Sequence, residues 1–472
     1  LGRIALLYLQ RGFALAGQLP GQGGRPQIEG AARSGVLTIT VAEVRIEEVQ
    51  FTFINPNPVT QPITVNRQLA IHPGDPFSVN GVVATLRNLS GTNLFGSIDP
   101  NEDVAIRPGS APDLAVIEIQ LSERPVFVPG LTVGTRNQAG QVSVFGQASL
   151  SLTNLFGLGH AASVSVGVGP QGNLDLEASY SIPFLNLFGD DQTSLHLRIF
   201  DTSSEGVSLM GVGDGSTFTL VNQGLSLGLS RPLTPNLDLG VRLESAFEFA
   251  LPDPLFPAPP VEDDIVPLLP GLVTQIGAGL TLDTRDSSGF PTAGLTASAD
   301  LDLGFGDDIF DDGLTNPVNF LRPVASSAQF FAIDPQRNWV LALRQTIGLV
   351  SGVAPLDELL RVGGNSPGRT VLIQRGLNAE SFMGSFAAGA TFEVRFRIPL
   401  EPVATLVPVV FADYTTITTE DQPGSINTLG YGVGLQINLE VPGLPPIPVR
   451  LDYGFSDVNP SGVLLFSVNP LF

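Results

Sequence analysis

Cysteine and lysine are both missing from this 472-residue chain. Without cysteine there is no disulfide framework, no thiolate metal site and no sulfur nucleophile. Without lysine there is no phosphate-binding loop of the GxxxxGK[ST] type, so no built-in energy source is legible. All 23 basic residues are arginine, and they are outnumbered by 45 acidic residues, giving a formal charge of −22. That balance argues against nucleic acid as a partner, which requires a basic footprint. Histidine occurs only as His72, His160 and His196, far apart and without ligand spacing such as HExxH. No uninterrupted run of about 18 apolar residues is present, so no transmembrane helix is expected. Leu1 is not an initiator methionine, so the chain reads as processed or truncated, and no signal peptide is visible.

What is present is 43% hydrophobic, with 53 glycines and 39 prolines. The apolar share is too high for a disordered chain. The length suggests about two to four domains. Apolar residues Ile4, Leu7, Tyr8 and Leu15 predict a helix over Gly2 to Ala16, weakened by Gly12. A Gly/Pro/Gln stretch follows, Gln18 to Gln27. Strands are expected at Gly35 to Val44, Arg45 to Phe53 and Leu114 to Leu121, with a short helix at residues 79–88. Together these make a small α+β module ending near Glu123.

From about Pro125 the texture changes to repeated alternation of apolar with small or polar residues. The clearest case sets Leu295, Ala297, Ala299, Leu301, Leu303 and Phe305 against Thr296, Ser298, Asp300, Asp302 and Gly304. Period two places each set on one face of a strand. A soluble β-sandwich shows the same alternation, but three features favour a membrane barrel. Charges (Asp238, Arg242, Glu244, Glu393, Arg395, Arg397) recur on the polar face, as in a wet lumen. The runs are long, about 9–14 residues, where spanning strands need about 9–11 and soluble strands average about 5–6. The chain also ends on an aromatic, with Leu464, Phe466, Val468 and Phe472 on one face.

Sixteen strands are expected between Phe127 and Phe472, an even number as single-chain barrels require. With the N-terminal module in the periplasm, Leu251–Pro270, Gly306–Pro323, Gly352–Gly384 and Tyr414–Ile426 become outer loops. The short segments Asp334–Arg337 and Pro232–Pro235 become inner turns.

Several motifs carry a family resemblance. Tyr8-x-x-x-Gly12-Phe13 and Gly35-Val-Leu-Thr-Ile-Thr-Val41 resemble the second helix and last strand of a polypeptide-transport-associated (POTRA) module. Asn154-Leu-Phe-Gly-Leu-Gly159, Asp283-Thr-Arg-Asp286 with Phe290-Pro-Thr-Ala-Gly294, and Arg450-Leu-Asp-Tyr-Gly-Phe455 resemble barrel turns and the penultimate strand of the BamA-type superfamily. The resemblance implies POTRA modules followed by a sixteen-stranded outer-membrane barrel. The implied divisions are 1–43, the tail of one POTRA module; 44–124, the barrel-proximal module; and 125–472, the barrel. It also implies an outer-membrane location with the modules in the periplasm, or the equivalent plastid envelope.

In this family a loop tip of Arg-Gly-aromatic folds into the lumen and meets an Asp in a Phe-x-Asp-x-Gly strand motif. Here Gln374-Arg375-Gly376-Leu377 and Phe411-Ala-Asp413-Tyr-Thr415 stand in those places, so the resemblance implies a lock made by Arg375, Gly376 and Asp413. Leu377 replaces the aromatic and Thr415 the glycine. A guanidinium suits this role because it can grip a carboxylate bidentately, and Gly363, Gly364, Gly368 and Gly376 permit tight turns. One conflict stands out: Asp413 shares its parity with Val409 and Phe411. A lumen contact therefore requires a strand end above the lipid, a bulge, or aromatics that face the lumen.

No catalytic constellation, cofactor motif or metal set is expected. The pairs Asp263/Asp264 and Asp307/Asp308 read as solvated outer loops, with divalent-ion binding as the alternative. His160 is expected at the periplasmic rim and Trp339 in an interfacial belt. Pro470 lacks an N–H, so the last strand, with Phe466, Pro470 and Phe472, marks a seam that is incomplete or merely terminated. The expected function is non-enzymatic: POTRA modules receive unfolded outer-membrane proteins and the seam inserts them into the bilayer by strand addition. Accessory periplasmic proteins are further expected partners. The alternative is a secretion or import channel of the same superfamily; a plain porin would lack the N-terminal module.

Overall fold

The structure, a computed structural model, describes residues 2–15, 28–33, 36–92, 94–96, 98–138, 141–168, 174–189, 192–208, 217–252, 271–287, 290–308, 317–364, 371–377, 381–400, 404–418, 424–439 and 447–467. It divides into two compact units: Leu1–Val126 with Leu152–Ala161, and Phe127–Ser151 with Ala162–Phe472.

In the first unit the opening helix covers Gly2–Gln10 and stops short of Ala16. Gly12 takes φ +80° just beyond it, a left-handed conformation that ends a helix. A hairpin of Ile28–Arg33 and Val36–Val41 follows; its first strand was not expected from the sequence. The sheet places Leu114–Leu121 in the centre, parallel to Arg45–Phe53 and antiparallel to Val104–Pro108. The helix Val79–Gly91 starts where the Ser78 hydroxyl accepts from the Gly81 N–H. Its Val82, Leu86 and Leu89, spaced on one helical face, join Ile46, Phe77, Ile117, Ile119 and Leu121 in the core. A short helix, Pro62–Asn66, begins with proline, whose missing N–H costs nothing at a helix start. The Asn154-Leu-Phe-Gly-Leu-Gly159 segment belongs to this unit. Asn154 Nδ2 donates to Thr60 Oγ1 at 2.8 Å, and Thr64 Oγ1 donates to the Gly157 carbonyl at 2.7 Å. Gly157, at φ +70°, has no room for a side chain, since a Cβ would lie 2.1 Å from the Val59 carbonyl oxygen. His160 follows directly and is half-buried.

The second unit is a closed antiparallel barrel. Its wall is written by eighteen strand segments. Two pairs of segments, Trp339–Leu349 with Ser351–Val353 and Phe386–Phe396 with Ile398–Leu400, are single staves broken by one residue. Among the described residues the barrel therefore has the expected sixteen staves, and Val463–Ser467 neighbours Phe127–Gln138 to close it. Several staves are longer than their alternation suggested: Thr217–Thr234 is 18 residues and Ala293–Asp308 is 16. Two expected loops shrink accordingly. Residues 306–308 and 318–323 of the expected Gly306–Pro323 loop are strand, because Ala293–Asp308 and Val318–Ala332 continue to pair. Tyr414–Ile426 likewise contributes to Ala404–Thr418 and Ser425–Leu439. Pro323 sits inside its stave opposite Leu301, and an apolar-periodicity argument alone places a break there.

Exposure alternates as a spanning strand demands. Leu301, Leu303 and Phe305 are exposed on the outer face, whereas Asp302 between them is 7% exposed and faces the lumen. Trp339 is on the outer face, its ring 4.5 Å from that of Phe396 across the strand pair. Tyr414, Tyr431 and Tyr453 are exposed on that face too. Such aromatics suit the level of lipid headgroups.

Candidate functional site

Between Val353 and Phe386 the described residues do not extend away from the barrel but fold into its lumen. A one-turn 3-10 helix, Leu356–Glu358, leads into a miniature sheet with Leu360–Gly363 between Val371–Ile373 and Phe382–Gly384. Leu360, Val362, Leu372, Leu377 and Phe382 bury against Val273, Phe320, Val350, Ala387 and Ile417 of the wall. Leu377, in the place the family gives an aromatic, is part of this core and only 2% exposed. Burying five such side chains stabilises the docked loop by several kcal/mol, at ~1.5–3 kcal/mol for each fully buried side chain.

The tip of the loop is Arg375. Its Nη2 donates to Asp413 Oδ1 at 2.6 Å, its Nε to Oδ2 at 2.9 Å, and its own backbone N–H to Oδ2 at 2.9 Å. Its Nη1 pairs with Glu393. The guanidinium carbon lies 3.6 Å from the ring centroid of Phe411, a stacked cation–π contact. Glu393 is the hub of the wall side. Arg450 Nη2 reaches its Oε1 at 2.8 Å and Arg395 Nη2 its Oε2 at 2.7 Å, while Arg450 Nε also binds Asp452 Oδ2 at 2.8 Å. Each of these charges has a partner of opposite sign, which is the condition for keeping them buried.

Glycines on the wall make room for the tip. Gly376 has φ +93°, and a Cβ there would lie 2.4 Å from the Phe455 carbonyl. Gly454 and Gly430 face it from adjacent strands, and a Cβ on either would press within 2.7 Å of the Arg375–Gly376 backbone. The Gly376 carbonyl accepts from Ser456 Oγ at 3.0 Å. Gln374 Oε1 accepts from the hydroxyls of Thr415 and Thr428.

The structure thus brings Arg375, Gly376 and Asp413 together. The parity conflict resolves without a bulge. Along Ala404–Thr418 every odd residue from Thr405 to Ile417 is buried, while Val410 and Tyr414 are exposed on the other face. Phe411 and Asp413 both face the lumen, and the loop covers Phe411. Of the seam residues, Phe466 pairs with Leu451 and is half-buried; Pro470 and Phe472 lie outside the described residues, as do Gly368, Asp263 and Asp264. Glu393 and Arg395 were legible as polar-face charges, but nothing in the sequence tied them to Arg375 or Arg450.

A second contact set lies elsewhere on the wall. Register aligns Arg242, Gly277, Asp302 and Arg322 across four adjacent strands. Because Gly277 has no side chain, Arg242 reaches over it to Asp302 at 2.8 Å. Arg322 binds Asp302 at 3.1 Å and also Glu358 of the loop, whose other oxygen accepts from Gln275. Asn222 Nδ2 donates to Asp357 Oδ2 at 2.7 Å, and Arg361 pairs with Asp357 inside the loop.

Residues 154–464 match the model of the Omp85 superfamily domain. A candidate outer membrane protein assembly factor of Treponema pallidum (strain Nichols) is 28% identical over 135 residues, which are 28% of this chain and 16% of that protein. CdiB from Escherichia coli superposes with a TM-score of 0.66 at 17% identity, over 99% of this chain and 82% of that one. BamA from Haemophilus ducreyi lacking POTRA domains 1–3 superposes with a TM-score of 0.59 at 15% identity, over 94% and 88%. A closed sixteen-stave barrel that holds its own loop in the lumen, matched by the family model over most of that barrel, makes this chain a member of the Omp85 superfamily in the outer membrane.

Proposed function

We propose that this protein is a non-catalytic assembly factor that helps unfolded outer-membrane proteins enter the bilayer at its barrel wall, with its N-terminal POTRA-like unit receiving them. The observation that carries this reading is the way the loop is seated. Five buried apolar side chains and the Arg375 ion pairs hold it in the lumen. Removing one partner of a buried pair costs about 3–5 kcal/mol. Passage of a polypeptide through the lumen would have to break several such contacts at once. Work at the lipid-facing wall breaks none of them. The partial match to an assembly factor supports the same direction, although it spans only 16% of that protein.

A polypeptide channel is the second reading. It is favoured by a space of about 580 Å³ beside the barrel wall, into whose lining Arg242, Asp300, Asp302 and Arg322 bring charge among glycines and aliphatic residues. The two readings separate in lipid vesicles. Purified protein should speed the appearance of protease-resistant barrel from a urea-unfolded outer-membrane protein, and conductance should stay low. Large conductance steps with no acceleration of barrel formation would reverse the order of the two readings.

A further inference from the structure

We infer that the contact between the loop and the wall at Glu248 is a divalent-cation site, built for calcium, that pins the loop at a second point beside the Arg375 lock. Three carboxylates meet there. Glu248 comes from the wall strand Leu237–Pro252, and Asp357 and Glu358 come from the 3-10 turn at the start of the loop. Their ligand atoms all lie within 4.8 Å of one another. Calcium takes oxygen ligands at about 2.3–2.6 Å, so ligands on opposite sides of the ion stand about 4.6–5.2 Å apart. An all-oxygen set within this limit suits a hard cation and leaves room for calcium.

Crowded acids alone would say little, but Glu248 adds an independent observation. It is 3% exposed, and among the described residues neither of its carboxylate oxygens has a hydrogen-bond donor; its near neighbour is the Glu358 carboxylate. Alternation aims it inward: Leu243 and Phe247 on the same strand are exposed on the lipid face. Directly across from it in register lies Asn222 on one side and Gly271, without a side chain, on the other. Asn222 turns its Nδ2 to Asp357, which leaves its buried Oδ1 without a partner as a neutral fourth oxygen.

The charges count in the same direction. Glu358 is paired with Arg322, and Asp357 with Arg361. Among the described residues Glu248, the third carboxylate of the set, makes no ion pair of its own, and like charges at this spacing repel unless something neutralises them. A proton shared between Glu248 and Glu358 would do so without any metal. A bound cation does so while also bridging loop to wall. The arginines already hold two of the carboxylates, so binding belongs to the weak range of calcium sites, about 10⁻⁴–10⁻³ M.

The test uses the whole protein in lipid nanodiscs, stripped with chelator, with calcium itself as the probe. Equilibrium dialysis should show a saturable ion lost in Glu248→Gln but kept in Glu102→Gln, which removes an exposed acid from the N-terminal unit. Glu248→Gln preserves shape and removes only charge, so the barrel should still form. Calcium should slow protease cleavage within residues 354–385 of the native protein by about threefold or more and leave Glu248→Gln unchanged. Either of two results overturns the site: calcium binding that is identical in native protein and Glu248→Gln, or loop protection that ignores calcium and chelator in both. The second pattern assigns the cluster to a shared proton.

Discussion

Arg375 stacks on Phe411, with its guanidinium carbon 3.6 Å from the ring centroid, while the same guanidinium grips Asp413 two residues along the strand. The ring and the carboxylate face the same way because strand side chains repeat every second residue. An apolar residue beside an acid on the lumen face is tolerated because the loop covers it.

Replacing Arg375 with Ala should destabilise the closed barrel by about 3–5 kcal/mol, because Asp413 loses the guanidinium that grips it and Glu393 one of the three that surround it. Arg375→Lys should recover only part of this, since an ammonium cannot grip Asp413 and Glu393 in the same planar geometry. Urea unfolding in lipid vesicles measures both. A lysine variant as stable as the native protein would show that planarity is irrelevant here.

Charge exchange should fail as a rescue. A carboxylate introduced by Arg375→Asp would also meet Glu393, and Asp413→Arg would add a further cation to a buried cluster that already holds Arg395 and Arg450. The double variant is expected to remain as impaired as Arg375→Asp alone when assembly into membranes is scored. Full rescue would mean that Asp413 carries the contact and Glu393 does not.

Gly376→Ala should open the loop without altering any charge. The residue sits at φ +93°, and a Cβ would lie 2.4 Å from the Phe455 backbone. The expected cost exceeds about 1 kcal/mol, the level at which alanine in a positive-φ site turns unfavourable. Protease cleavage between residues 354 and 385 should rise, and unchanged protection would contradict the close approach.

Ala299→Arg tests the lipid face. Ala299 is exposed on the same face as Leu301 and Leu303. An arginine there should cost about 2–4 kcal/mol near the midplane, falling toward zero near either interface. Folding into lipid vesicles reads the difference, and tolerance would place the residue outside the hydrocarbon.

The turn around Asp286 should make stability depend on acid. Burial raises the pKa of this carboxyl, but the Thr292 hydroxyl and N–H, the Ala293 N–H and Arg337 outweigh it, and the net shift is downward. A carboxylate depressed in the folded state contributes stability above its unfolded pKa, about 3.9, and loses it as pH falls through the lower folded value. The stability gap between the native protein and Asp286→Asn should therefore be constant above about pH 4 and shrink below it. A gap that is flat through acid titration would remove the carboxylate's role.

The barrel was legible in the sequence because a lipid-spanning strand must alternate, and alternation survives in every stretch such as Leu295 to Phe305. The ends of the staves were not legible. Beyond the lipid both faces can be polar, so Gly306–Pro323 and Tyr414–Ile426 carry no contrast to read even where they pair. In the N-terminal unit the strand Ile28–Arg33 is not legible for a similar reason, since its glycine, alanines and charges show no period.

For the loop, resemblance named Arg375 and Asp413, and composition supplied the glycines. Only the tertiary structure decided which way Phe411 faces, because hydropathy assigns a phenylalanine outward unless something apolar fills the lumen. It also decided that Glu393 joins Arg375 to Arg395 and Arg450, and that Glu248 meets Asp357 and Glu358. Those partners lie on strands and turns far apart in the chain, and barrel closure with an inserted loop sets the distances between them. Local periodicity reports which face a residue takes; it holds no information about which residue stands opposite across a lumen.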